Sequence, residues 1–325
     1  MAKRKSPPRF ERMIGQSSEI KIVFARIRQA AATDVPVLIL GETGTGKDLV
    51  AKAIHSRSKR ADGVYIPVHL GAVPANLVAS ELFGHEKGVF TGATETRQGK
   101  FELGNGGTVF LDEIGTISER VQISLLRLLE QHKFHRLGGQ DTFTTDVRLI
   151  AASNADLYEA VQKGTFREDL YYRLDVFRID LPPLRQRRQD IELLVRSFLK
   201  SYCKSFGKAI KDIPVDALSL LQNYHWPGNI RELKNVIQRA VLVCEGDALQ
   251  PRHLPPRFHT KDSSQENIVF KVGTTLAEME QRMIRKVLMV TGNNRKKSAE
   301  LLGISRRTLY NKLEKYGLMS RDIDV

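Results

Sequence analysis

The stretch Gly41-Glu42-Thr43-Gly44-Thr45-Gly46-Lys47-Asp48 constrains the fold more tightly than any other part of the chain. Ahead of it, residues 35–40 form a short apolar run rich in branched side chains, which reads as a buried strand. Behind it, Leu49, Val50, Ala53 and Ile54 recur at helical spacing. Strand, glycine-rich turn and helix together make the context of a P-loop. The glycines let the backbone curl so that successive N–H groups face a phosphate. The helix N-terminus adds partial positive charge, and Lys47 reaches the outer phosphates. The residue after the lysine is usually a magnesium-binding Ser or Thr, and here it is Asp48.

Later segments supply what such a loop needs. Residues 109–111 are apolar and end in Asp112 and Glu113. After a P-loop this is a Walker B arrangement, in which Asp112 holds the magnesium shell and Glu113 polarises the attacking water. Residues 147–152 read as a further buried strand with Ser153 and Asn154 at its carboxyl end, which in an α/β sheet faces the ligand crevice. Both are candidates to sense a γ-phosphate, although plain strand capping would also place them there. Arg167 and Arg173 stand six residues apart with aromatics between; in a ring of subunits such guanidinium groups can complete a neighbour's site. Arg231 falls in the first turn of a helix announced by Trp226-Pro227-Gly228, where a cation is unfavourable unless an anion lies near.

Between these blocks, residues 64–69 read as a second strand ending at His69, and residues 75–83 as a helix. The segment Gly88-Val89-Phe90-Thr91-Gly92-Ala93 has too few core-type residues to be a packed element. Phe90, set between glycines, has little to pack on, so a partner contact is the attractive reading.

Composition matters most for partners. The 325 residues carry a formal charge of +14, which suits a polyanion. No apolar stretch is long enough to span a bilayer, no apolar run follows the basic start, and Cys203 and Cys244 have no metal-ligand spacing around them. A reducing, cytoplasmic setting without membrane contact is expected. Residues 275–325 hold 11 lysines and arginines against 6 acids. They read as three helices, the last two joined by Gly303-Ile304-Ser305, which is a helix-turn-helix. Its recognition helix would turn Arg306, Arg307, Thr308, Asn311 and Lys312 toward a major groove.

These blocks resemble the bacterial enhancer-binding proteins, the AAA+ activators of sigma-54 RNA polymerase that carry a Fis-type DNA-binding domain. The likeness runs from about residue 13 to residue 318, and GVFTGA at 88–93 is its most specific element. It implies an α/β chain: an AAA+ P-loop ATPase domain with an α-helical lid, followed by an all-α helix-turn-helix domain. The expected divisions are a flexible basic tail (1–12), the α/β ATPase subdomain (13–180), the helical lid (181–250), a linker (251–274) and the DNA-binding domain (275–325). By the same resemblance ATP and Mg2+ are the cofactors, bound by Gly41 to Asp48, with Arg231 as the lid arginine that senses nucleotide. Arg167 and Arg173 are trans-acting fingers, and the Gly88–Ala93 loop, through Phe90 and Thr91, touches sigma-54. The expected partners are the sigma-54 holoenzyme, an upstream double-stranded DNA element, and other copies of the chain, from dimer to hexamer.

The chain departs from the family pattern at three places. His69 stands where an asparagine usually restrains the Walker B glutamate, Ser153 replaces a threonine, and Val89 replaces an alanine. A histidine could still hydrogen-bond Glu113, with different length and titration, and a mixed ring with a related subunit is one consequence. No receiver or other sensor domain is recognised ahead of residue 13, so control is expected from a partner in trans, from expression level, or from a domain outside this sequence. Two other readings use the same residues: a DNA-binding regulator whose ATPase domain only oligomerises, and a DNA-stimulated AAA+ motor, a class that lacks the GVFTGA loop.

Overall fold

The computed structural model describes residues 9–11, 13–90, 93–258, 270 and 273–318. The chain divides into two compact units, Met1–Pro255 and Pro256–Val325.

In the first unit the principal elements are α1 (Ser18–Ala31), β1 (Val37–Leu40), α2 (Lys47–Ser56), β2 (Tyr65–His69), α3 (Val78–Phe83), β3 (Thr108–Asp112), α4 (Glu119–Gln131), β4 (Arg148–Ser153), α5 (Glu168–Leu174) and β5 (Phe177–Asp180). The five strands form one parallel sheet in the order β5-β1-β4-β3-β2. The two-residue period of a strand decides what each face buries. Val37 and Ile39 join Phe110, Ile150 and Ile179 under α1 and α2, while Leu38 joins Val109, Leu111 and Leu149 under α3, α4 and α5. Both faces are covered, so the strands read as continuous apolar runs rather than alternating ones. The helix expected over 75–83 begins only at Val78, because the Pro74 carbonyl accepts the Leu77 N–H in a turn at 2.8 Å.

Three helices complete this unit as a lid: α6 (Ile191–Phe206), α7 (Val215–Asn223) and α8 (Asn229–Val243). Trp226 is fully buried and donates from Nε1 to the Leu221 carbonyl at 2.8 Å, which pins the turn ahead of α8. Asp190, also fully buried, joins the lid to the start of α1. It accepts from the backbone N–H of Gln16 and Ser17 and from the Ser17 hydroxyl at 2.7–2.9 Å. Three charge-receiving bonds satisfy the carboxylate, which is the condition for burying it. The first unit runs on to Pro255, with Leu249 and Leu254 buried, so its packing extends past residue 250 into the segment expected to be linker. Residues 259–269, the centre of that segment, and residues 1–8 of the expected tail lie outside the described residues. The end of the tail expected over 1–12 is not flexible: Arg9–Phe10 pairs with Met13–Ile14, and Phe10 is buried against Phe24.

In the second unit α9 (Leu276–Val290), α10 (Arg295–Leu301) and α11 (Arg306–Lys315) close on Ile284, Leu288, Ala299, Leu309, Leu313 and Leu318. Each start is capped. Thr275 and Glu278 form a reciprocal capping box, Asn294 accepts from Lys297 N–H, and Ser305 accepts from Thr308 N–H at 3.0 Å. Gly303, with φ +66°, makes the turn between α10 and α11. Among the described residues no helix is long and apolar enough to cross a membrane.

Candidate functional site

Strand register gathers the polar groups at one edge of the sheet. His69 lies beside Asp112, Ser153 beside Leu40, and Asp180 on the other side of Leu40. The P-loop leaves this edge between β1 and α2, with Gly44 and Gly46 at φ +81° and +101°. These backbone angles are costly for residues with a Cβ and free for glycine.

Lys47 Nζ turns back onto the loop, 2.7 Å from the Gly41 carbonyl oxygen. Burial pushes the lysine's pKa down and Arg231 pushes the same way, while Asp112, Glu113 and Asp48 act against them. The lysine therefore stands among both Walker B carboxylates and the lid arginine. Asn154 donates to the Thr43 hydroxyl at 3.3 Å and so touches the P-loop directly. Ser153 is buried and spends its hydroxyl locally, donating to the Ala155 carbonyl and accepting from the Ala155 N–H. It holds the strand end, the simpler of its two sequence readings.

The bond that His69 could make to Glu113 is not the one formed. His69 Nδ1 lies 3.2 Å from Asp112 Oδ2. The register sets these two side chains next to each other. Glu113 meanwhile sits in the left-handed region, φ +61°, which swings its carboxylate over Gly71. A Cβ added at Gly71 would fall 1.8 Å from Glu113 Oε2. Gly71 is thus the seat of the glutamate, a role its sequence neighbourhood does not advertise.

The lid holds the P-loop from outside. Arg185 grips the Glu42 carboxylate with both terminal nitrogens, at 2.6 and 2.8 Å, and Asn229 Nδ2 adds a third bond at 3.1 Å. The backbone N–H groups of Ile230 and Arg231 donate to the Gly44 carbonyl. Arg231 is therefore at the loop through its backbone. Arg185 and Asn229 were not singled out from sequence; the signal available was Glu42 itself, an acid inside an anion-binding turn that needs a cation nearby.

Within one chain the two finger arginines are occupied elsewhere. Arg167 pairs with Asp169 at 2.6 Å, and Arg173 donates to the Leu129 carbonyl near the end of α4. The structure does not bring either to the chain's own P-loop.

The Gly88–Ala93 loop rises from a two-stranded base, Gly84–His85 with Arg97–Gln98. Arg136, from a hairpin of Lys133–His135 with Thr142–Thr144, ties Glu86 to Glu102 at 3.0 and 2.8 Å. The Gly88 N–H donates to the Ala93 carbonyl and closes the loop. Val89 and Phe90 are 36% and 37% exposed, a level that leaves both open to a partner. Phe90 has more to rest on than its glycine neighbours suggest, because its ring lies 5.0 Å from that of His85. Thr91 and Gly92 lie outside the described residues.

On α11, Arg306, Arg307, Thr308 and Asn311 are exposed along one stretch, which suits a groove. Lys312 is not turned outward as expected. It bonds Glu280 of α9, which also accepts from the Tyr316 hydroxyl at 2.7 Å. Helix geometry puts position 312 on the α9 side, one residue before buried Leu313.

Three family descriptions match successive stretches of the chain. Residues 13–180 match the Sigma-54 interaction domain, residues 185–269 the AAA+ ATPase lid domain, and residues 275–316 the Bacterial regulatory protein, Fis family. The chain is 44% identical to the nitrogen fixation protein AnfA of Azotobacter vinelandii over 94% of its own length. It is 46% identical to the regulatory protein AtoC of Escherichia coli over 90% of its length. It spans 57% of AnfA and 65% of AtoC. The crystal structure of NtrX from Brucella abortus in complex with ADP superposes with a TM-score of 0.71 at 31% identity, covering 94% of this chain and 70% of that one.

Proposed function

The chain belongs to the sigma-54-dependent activator family, with its AAA+ module and Fis-type helix-turn-helix, and on that premise we propose that it hydrolyses ATP to activate transcription by sigma-54 RNA polymerase. The observation that carries this is the meeting of Lys47, Asp112, Glu113, Asn154 and Arg231 at one sheet edge in a molecule that also presents an exposed Gly88–Ala93 loop.

The residues fit a nucleoside triphosphate. Gly44 and Gly46 adopt the backbone of a phosphate cradle, and Lys47 needs only to leave the Gly41 and Glu42 carbonyls to meet an anion. NtrX was crystallised with ADP and with ATP, which supports the same ligand here. Among the described residues no cluster of three or more metal-binding side chains occurs. Mg2+ is usually held by one or two carboxylates together with substrate phosphates. Asp112 is the carboxylate, and the ion when bound neutralises charge on the phosphates. Glu113 orients water, Lys47 holds the phosphate oxygens, Asn154 reports on the loop through Thr43, and Arg231 adds a cation from the lid. Each group acts by position and charge, and none is a covalent nucleophile.

In this reading subunits assemble into a ring, a hexamer, and Arg167 and Arg173 exchange their present partners for the neighbour's nucleotide. Hydrolysis drives Phe90 and Thr91 of the loop against sigma-54 while α11 holds upstream DNA with Arg306, Arg307, Thr308 and Asn311. The site of action is cytoplasmic. The test is ATP turnover and promoter opening by the wild-type protein beside Glu113→Gln. Loss of both in the variant is expected; turnover that survives the substitution would remove Glu113 from the mechanism.

His69 favours a second reading. Its bond to Asp112 engages the carboxylate that would hold the metal ion, so this chain would share its ring with a related subunit that carries the hydrolysis. Full turnover by the purified chain alone excludes it.

A further inference from the structure

Four consecutive residues of the P-loop are each bonded to the lid. The Glu42 carboxylate takes Arg185 and Asn229, and the Thr43 carbonyl takes Asn229 Nδ2 at 3.1 Å. The Gly44 carbonyl takes the N–H groups of Ile230 and Arg231, and the Thr45 carbonyl takes Arg187 Nη2 at 3.4 Å. Asn229 is fully buried, sits at φ +50°, and accepts the Leu184 N–H with its own side-chain oxygen. One amide therefore stitches the first lid turn, the start of α8 and the P-loop together. The fit leaves no room to spare: a Cβ at Gly44 would lie 2.4 Å from the Gly228 carbonyl oxygen.

We propose that Glu42 is a positioning residue through which the lid reads whether the P-loop holds phosphate. The proposal rests on the nucleotide-binding reading above. Among these contacts only the pair with Arg185 joins two full charges, and its bidentate geometry fixes an angle as well as a distance. Glu42 and Arg185 are 41% and 37% exposed, too open for the pair to contribute much stability. What the pair supplies is geometry. Arg185 lies where the lid begins and Asn229 where α8 begins, so any shift of Glu42 on phosphate entry moves both ends of the lid's contact. Arg231 follows, being two residues beyond Asn229 on the same helix. By linkage, a lid orientation set by bound phosphate must change phosphate affinity by the same factor.

The ordinary alternative is an ion pair that decorates the loop and carries nothing. Hydrogen exchange of the full-length protein separates the two. Backbone amides of residues 229–243 are followed with and without a non-hydrolysable ATP analogue and Mg2+, and KM and kcat for ATP are measured in parallel. In the wild type the analogue should slow exchange across α8. Glu42→Gln and, as an independent variant, Arg185→Ala should lose that slowing and raise KM about tenfold with a smaller change in kcat. The exchanged pair Glu42→Arg with Arg185→Glu should recover part of the slowing. Analogue-induced slowing that persists in both single variants would overturn the proposal. A wild-type protein that binds no analogue would instead overturn the nucleotide reading on which it stands.

Discussion

The P-loop and the Gly88–Ala93 loop are both glycine-rich, yet the fold treats them in opposite ways. Residues 42–45 are bonded to the lid one after another, and Lys47 is folded back on its own loop. The Gly88–Ala93 loop is held at its base by Arg136, Glu86 and Glu102, while Val89 over Gly138 and Phe90 against His85 stay partly exposed. The first arrangement suits a ligand whose charge must meet groups already in place. The second suits a macromolecular partner, for which a loop must reach out from a firm footing. Rigidity at one glycine loop and projection at the other are what a device converting nucleotide chemistry into a push requires.

The largest effect that could break this contrast lies at Glu113. Glu113→Gln should lower ATP turnover by about 10²–10⁴-fold while nucleotide binding persists, since only the positioned carboxylate is lost. Measured kcat and analogue affinity check it. Gly71→Ala should come next. The added methyl displaces the Glu113 carboxylate, so turnover should fall strongly with the protein still folded and still binding nucleotide. Unchanged turnover would mean that Glu113 does not act from its seat over Gly71.

The projecting loop should behave in the reverse sense. Phe90→Ala should leave ATP turnover of the isolated protein near the wild-type value and abolish promoter opening, read by permanganate footprinting. If turnover in the absence of sigma-54 collapsed as well, the loop would be part of the nucleotide site and the comparison would fail.

A smaller effect concerns acidity. Hydrogen bonding from Arg185 holds the Glu42 carboxyl below its ordinary pKa, and burial opposes this only in part. A folded-state pKa below the unfolded one means a contribution present above the ordinary carboxylate range and lost as pH falls through the lowered value. Thermal denaturation from pH 7 down to about pH 3 should therefore show a shallower loss of Tm below the ordinary carboxylate range in Arg185→Ala than in the wild type. The smallest effect lies in the second unit. Arg306→Ala should reduce the salt dependence of DNA binding by about one unit of slope. Lys312→Ala should leave that slope unchanged and lower the melting temperature instead, because its partner is Glu280.

Much of the molecule could be read before its structure was known, for identifiable reasons. The apolar runs ending at Leu40, Asp112 and Ser153 are strands of a sheet covered on both faces, and such strands declare themselves by continuous branched residues. The caps of the second unit are equally local, so the three helices read there from sequence are the three that form. What escaped was long-range. Arg185 and Glu42 are 143 residues apart in sequence, and Asn229 and Glu42 are 187 apart. No periodicity links such positions. His69 was recognised as unusual, but its partner depended on the left-handed turn at Glu113, which the sequence does not mark. Lys312 was assigned to a groove because it is a lysine on a basic helix; packing against α9 decided otherwise.

The central claim is that nucleotide chemistry completed between subunits is delivered to sigma-54 through the projecting loop. It is tested most directly by ATP hydrolysis per subunit over a protein concentration series, with and without sigma-54. A rate per subunit that climbs with concentration and changes on adding sigma-54 is the predicted result. A rate that stays at zero, or one independent of both concentration and sigma-54, would contradict the account.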